Sequence, residues 1–237
     1  MWLTMKLVLS LSQMAFFVFV GKFVRGEAII QYIAVGNALQ VLAWNAVFSV
    51  INITSHDKWE GTLTYLLATP ASRFPVFLGR AMMHVLDGIL SVAIGFAYAG
   101  YLFGVDFSRT NFLTLSVIIA LTSFLMTGFG LMIGSFAFYF RSPLVIANIF
   151  LFILLIFCGV NFPIQELPAV IQPVSYIFPL TYGIDAARQA VAGASILQVS
   201  QPLAYEVATG LAAVAIGYFA FIRFELLARK TGKLEEV

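Results

Sequence analysis

Long apolar runs separated by short polar connections dominate this chain. A helix needs about 20 apolar residues to cross about 30 Å of hydrocarbon. Six stretches qualify: 7–24, 29–54, 74–103, 112–138, 144–160 and 204–224. The third is too long for one straight crossing, so its start is expected to lie along the membrane surface or protrude from it. The first is expected to be a retained span rather than a cleaved leader, because Gly21, Lys22, Phe23 and Val24 follow it in place of a small-x-small cleavage pattern. The pattern predicts an all-α polytopic membrane protein with six transmembrane helices, residues 1–237 forming one domain.

Two of the gaps between runs carry more information than the rest. Residues 57–70 begin charged and continue amphipathic until Pro70 stops them. Trp59, Leu63, Leu66 and Leu67 recur at spacings of three and four, which gives one apolar face. Such a helix lies along the cytoplasmic surface, either as an interfacial anchor or with its face against a partner. The second gap, 162–194, is largely apolar, yet Pro163, Pro168, Pro173 and Pro179 interrupt it. Each proline removes a backbone donor and biases its predecessor away from helix, so no single spanning helix forms there. Broken backbone at membrane depth is tolerated only under protein or beside a wet cavity. The reading is either short re-entrant helices dipping into the outer leaflet or an ordinary apolar outer loop. Within it, Asp185 and Arg188 are three apart, a spacing that suits an ion pair.

Composition agrees with lipid as the solvent. Apolar residues make up 61% of the 237 and charged ones 10%, and the mean hydropathy is +0.97, against about 25% charged residues in an ordinary soluble domain. With both termini placed in the cytoplasm, Lys6, Lys58, Arg73, Arg80, Arg141, Arg223, Arg229, Lys230 and Lys233 fall inside. Lys22, Arg25, Arg109 and Arg188 fall outside, and this asymmetry follows the positive-inside rule.

Motif chemistry is mostly missing. Gly232-Lys233 is followed by Leu and lacks the glycine that a phosphate loop requires, and neither a nucleophile elbow nor a metalloprotease helix occurs. No basic cluster with interleaved aromatics supports nucleic-acid binding. Neither His56 nor His84 has a cysteine or second histidine at metal-ligand spacing, and the lone Cys158 reads as a small buried residue. Asp87 and Glu206 are the membrane-embedded acids, functional candidates by default, although His84 one turn from Asp87 offers a local hydrogen bond. Asn37, Asn45 and Asn52 fall within about 80° of one face of the second span, lining a route for an amphipathic molecule or bonding between helices. Gly100-x-x-x-Gly104 and Gly130-x-x-x-Gly134 are candidate close-packing motifs.

The segment Glu60-Gly61-Thr62-Leu63-Thr64-Tyr65-Leu66-Leu67-Ala68-Thr69-Pro70-Ala71-Ser72-Arg73 resembles the cytoplasmic signature of the type-2 ABC-transporter permease family. Leu167-Pro168 together with Phe178-Pro179-Leu180-Thr181-Tyr182-Gly183-Ile184-Asp185 and Arg188 resembles that family's re-entrant outer element before the last span. The two motifs occur in the family's order and, with six spans, cover almost the whole chain. The resemblance implies the membrane half of an ABC exporter, a homodimer or paired permease, with separate ATPase subunits that hold ATP and Mg. The helix after span two would be a cytoplasmic coupling helix, with Trp59, Glu60, Gly61, Thr62, Leu63 and Leu67 at the ATPase contact. Pro163, Pro168, Pro179 and Tyr182 would shape the outer gate, and Asn37, Asn45 and Asn52 the translocation route. One departure is that only Met1–Lys6 precede the first apolar run, where the family has an amphipathic helix. Either that interface is reduced or the true start lies upstream.

The leading expectation is a permease subunit moving a hydrophobic or amphipathic substrate, a drug or lipid, out of the cell across the plasma membrane of a bacterium or archaeon. The chain itself would be no enzyme and would bind no cofactor. The alternatives are a non-transporting sensor or assembly partner of an ATPase, and a membrane-embedded enzyme.

Overall fold

A computed structural model describes residues 2–60, 73–135 and 143–231. Every regular element among them is helical: α1 (Trp2–Arg25), α2 (Ile30–Trp59), α3 (Arg73–Phe103), α4 (Phe112–Gly134), α5 (Pro143–Phe157), α6 (Gln172–Ser175), α7 (Pro179–Val191) and α8 (Ser200–Thr231). Short 3-10 turns occupy Glu27–Ile29 and Ile164–Glu166. Three described segments are long and apolar enough to cross a membrane: Met82–Phe103, Phe112–Gly134 and Ser200–Arg223. At 1.5 Å per residue each spans somewhat more than about 30 Å. Leu144–Phe157 in α5 is a shorter apolar helix. The sixth apolar run, expected at 204–224, is the middle of a longer helix, since α8 extends beyond it at both ends. α2 likewise continues past residue 54, so residues 57–59 are its last turn rather than the start of a separate helix.

α2 and α4 form the centre. α2 packs on α1, α3, α4, α5 and α7, and α4 packs on α2, α3, α7 and α8. Val35, Leu39, Leu42, Ala43, Val47 and Ile51 of α2 join Ile118, Met126, Phe129 and Ile133 of α4 in one buried cluster. Between lipid-compatible helices the hydrophobic effect supplies little, so close approach of backbones has to hold the bundle. Gly130 provides it, because a Cβ there would lie 2.3 Å from the Ala46 carbonyl oxygen. On the other side of α4, Gly128 faces Val214, while Gly210 and Gly217 of α8 face Leu125 and Met132. The Gly100–Gly104 pair works differently from the expected packing motif. Gly104 lies beyond the end of α3 with φ +66°, a left-handed position where glycine carries no Cβ penalty.

α4 begins where sequence chemistry says it should. Asn111 is its N-cap, and its side-chain oxygen accepts from the Thr114 N–H at 3.1 Å. Asn111→Ala is expected to lower the unfolding free energy by about 1 kcal/mol, the usual value of such a cap. Reversible unfolding in detergent would show this as a shifted midpoint. At the same end of the molecule, Arg25 at the close of α1 donates to Glu166. This pairing holds the Glu166 carboxyl below its usual range and the Arg25 guanidinium above its own. Both side chains are solvent-exposed, so the pair fixes position more than it stabilises.

Candidate functional site: a proline-broken helix wedged into the bundle

Residues 158–199 leave α5, turn through the prolines and re-enter the bundle as α7. Proline punctuates each step. Pro163 is the N-cap of the Ile164–Glu166 turn, Pro173 lies in the first turn of α6, and Pro179 opens α7, where a missing N–H is harmless. Pro168 sits between these pieces, and its carbonyl accepts from the Ile171 N–H at 2.9 Å. The Thr181 hydroxyl donates to the Ser175 carbonyl at 2.6 Å, which ties α7 back to α6.

α7 is apolar or small on nearly every side. Leu180, Thr181, Gly183, Ile184, Ala186, Ala187, Ala190 and Val191 are all buried. Tyr182, Asp185 and Gln189 form its one outward stripe, so the helix is amphipathic and presents most of its surface to the core. It lies against α4, α8 and α2. Its C-terminal carbonyls, which no intrahelical donor can reach, are taken up by the connection between α3 and α4. The Asn111 N–H donates to Ala190 O at 3.0 Å, and the Thr110 hydroxyl to Val191 O at 3.4 Å.

Two polar contacts flank this helix. On one side, Gly183 lets α7 approach α4 and α8. A Cβ there would lie 2.6 Å from Thr122 Oγ1 and 2.8 Å from Glu206 Oε1. Glu206 and Thr122 are fully buried beside each other, and the carboxyl and the hydroxyl have no partner besides one another. Buried polar groups in that condition are uncommon and cluster where function retains them. The sequence marked Glu206 but gave no sign of its neighbours.

On the other side is Arg188. The ion pair expected from the i, i+3 spacing with Asp185 does not form. Asp185 is exposed and accepts from Gln189 Nε2 at 3.0 Å, whereas Arg188 points inward. Its Nη2 donates to three backbone carbonyls, those of Gly159 (2.7 Å), Tyr32 (3.1 Å) and Val160 (3.1 Å). The guanidinium carbon stands 3.3 Å from the centroid of the Tyr32 ring, a cation–π geometry. Two of those carbonyls belong to the turn that ends α5, where Gly159 adopts φ +67°. A cation at a helix C-terminus satisfies orphan carbonyls and the negative end of the helix dipole together. Spacing of charges along one helix cannot reveal this, because the competing acceptors are main-chain atoms remote in sequence.

The other expected site residues fall as follows. Asn37 and Asn45 are buried in α2. Asn37 donates to Asn161 Oδ1 at 2.8 Å and to Ile33 O at 2.9 Å, and accepts from Gln13. It therefore bonds between elements beside the Arg188 contact. The Asn52 side chain lies outside the described residues, and Trp44 between the asparagines stacks on Phe48 at 4.8 Å. Tyr182 donates to the Tyr176 carbonyl at 3.1 Å and sits between the rings of Tyr176 and Tyr205. Trp59 is the last residue of α2 and Glu60 is exposed just after it. Gly61, Thr62, Leu63 and Leu67 lie outside the described residues. Cys158 is free and buried, as its apolar context indicated. Among the described residues no group of three His, Cys, Asp or Glu side chains is placed to hold a metal.

Known proteins share this arrangement of sequence. The chain is 23% identical over 155 residues to the probable multidrug ABC transporter permease YbhR of Escherichia coli K12, covering 63% of this chain and 41% of that protein. It is 25% identical over 163 residues to the probable multidrug ABC transporter permease YbhS of the same strain, covering 68% and 43%. The chain thus spans about two fifths of the length of these relatives. The model of the family described as ABC-2 type transporter matches residues 2–191, which takes in α1 through α7, the first informative gap and all but the last three residues of the second. This all-helical membrane protein belongs to the ABC-2 type transporter family, the membrane permease subunits of ABC transporters.

Proposed function

We propose that the chain is the membrane-spanning permease of an ABC exporter, moving a hydrophobic or amphipathic molecule such as a drug or lipid outward. The work would be done by ATP hydrolysed, with Mg, on a separate ATPase subunit. In this reading six helices span the plasma membrane with both termini cytoplasmic: α1, α2, α3, α4, α5 and α8. Residues 162–194, with α6 and α7, form a re-entrant outer element that closes the route. Two permease chains, identical or paired, enclose the route between them.

The observation that carries the reading is α7. A short helix, broken from its neighbours by proline, is buried at the junction of α2, α4 and α8. Polar contacts on both flanks are satisfied or sealed only while it stays seated. In this reading α7 moves between a seated and a withdrawn position, as a gate requires. Closure of the ATPase pair would draw the coupling segments together and bias the bundle toward the withdrawn state. The relatives named as multidrug permeases support an amphipathic cargo.

The coupling contact is tested at Glu60 and Gly61. Glu60→Ala and Gly61→Val are each expected to reduce stimulation of the ATPase by the permease about tenfold, equivalent to roughly 1.4 kcal/mol of coupling. The unfolding midpoint of the bundle should not change. Normal stimulation by both variants would remove residues 59–67 from the ATPase contact.

A further inference from the structure

We propose that Arg188 is a latch: a positioning residue that ties α7 to the end of α5 and the first turns of α2, so that gate and route-lining helices open together. The inference rests on the reading of α7 as the outer gate. It concerns what holds that gate shut.

From α7, the Arg188 side chain reaches both α2 and the turn after α5. It takes one carbonyl from the former and two from the latter. The same turn is bonded to α2 a second time, by the Tyr32 hydroxyl donating to Gly159 O at 3.1 Å. It is bonded a third time through Asn161 to Asn37. Gly36 makes room for the arrangement, since a Cβ there would lie 2.1 Å from Val160 O and 2.9 Å from Arg188 Nη2. No carboxylate lies within salt-bridge distance of the guanidinium among the described residues, and its Nε is buried without a partner. The charge is therefore held directly by carbonyl dipoles and one aromatic face, with Asp185 acting on it only from beyond contact distance. Withdrawing α7 breaks all three bonds and the stacking at once, which makes the contact all-or-none. Lysine cannot replace it fully, because an ammonium lacks the planar fork and the flat face that rests on Tyr32.

The molecule carries its own reporter. Cys158 is the single cysteine of the chain. It is buried, with its thiol against Thr181 of α7, and immediately precedes Gly159. Lifting α7 exposes it. The test is the rate at which N-ethylmaleimide labels Cys158 in the full chain in proteoliposomes, with and without the ATPase and ATP.

Wild type is expected to label slowly at rest and faster during ATP turnover. Arg188→Met should label at least about tenfold faster at rest, with ATP adding nothing; tenfold corresponds to about 1.4 kcal/mol in the seated–withdrawn equilibrium. Arg188→Lys should fall between the two, and Tyr32→Phe, which keeps the ring and loses one bond, should stay near wild type. A purely structural arginine would not abolish the response to ATP, and restoring a cation would not restore part of that response. Should Arg188→Met fail to fold, the order of wild type, Tyr32→Phe and Arg188→Lys decides the matter alone. Equal resting rates in wild type and the arginine variants would overturn the latch. So would an unchanged response to ATP in Arg188→Lys and Arg188→Met. Wild-type vesicles that hydrolyse ATP without moving Hoechst 33342, an amphipathic dye, would instead overturn the exporter reading. The resting labelling order would still test the latch.

Discussion

Gly36→Ala is expected to destabilise the bundle by about 3 kcal/mol or more, the upper end of what overpacking does in a close-packed interior. The added methyl carbon would sit 2.1 Å from the Val160 carbonyl oxygen and 2.8 Å from its carbon. Both are main-chain atoms in a turn already held by Tyr32 and Arg188, so neither can rotate away as a side chain could. Relief requires α2 to part from the end of α5, which also stretches the Arg188 bonds. Gly79→Ala is the matched control. Gly79 lies in α3 with nothing within 4 Å of its would-be Cβ. Alanine there should be neutral or stabilise by up to about 1 kcal/mol through helix propensity. Unfolding midpoints of the two purified variants in one detergent give the comparison. Similar midpoints would show that α2 does not approach the Val160 turn so closely.

The second large effect is expected at Gly183, and it should be reversible by design. Gly183→Ala places a carbon 2.6 Å from Thr122 Oγ1, 3.0 Å from Thr122 Cγ2 and 2.8 Å from Glu206 Oε1. The cost should be about 2 kcal/mol, with α7 displaced from α4 and α8. Thr122→Ala removes two of the three colliding atoms. The double variant should therefore recover at least half of the loss, a coupling of about 1 kcal/mol or more between residues in direct contact. The readout is the unfolding midpoint across the four-member cycle. Additive losses would mean that α7 does not lie between Thr122 and Glu206.

These two glycines also show where sequence reading stops. The prolines at 163, 168, 173 and 179 were legible, because proline acts on its own backbone whatever surrounds it, and the broken connection they forecast is present as Ile164–Glu166, α6 and α7. The apolar runs were legible for the same reason: length and hydropathy are properties of one segment. Gly36 and Gly183 resemble any other glycine until the Val160 turn and the Thr122–Glu206 pair are brought against them. Arg188 failed in the opposite direction. Its spacing from Asp185 suggested an ion pair, but a buried guanidinium found three carbonyls and a ring, while the acid stayed with Gln189 at the surface. Asn37 and Asn45, which share a face of α2 with Asn52, are buried. The bonds of Asn37 to Asn161 and Gln13 depended on elements that periodicity does not position.

The central proposal is a gated route through this chain, driven by ATP hydrolysis on a separate ATPase subunit. The direct measurement is movement of Hoechst 33342 in inside-out vesicles carrying the chain with its ATPase, compared with vesicles in which the ATPase binds ATP but cannot hydrolyse it. The account predicts dye accumulation that requires hydrolysis and falls to background when either protein is omitted. Binding of the ATPase without hydrolysis-dependent accumulation, or accumulation by the chain alone, would contradict it.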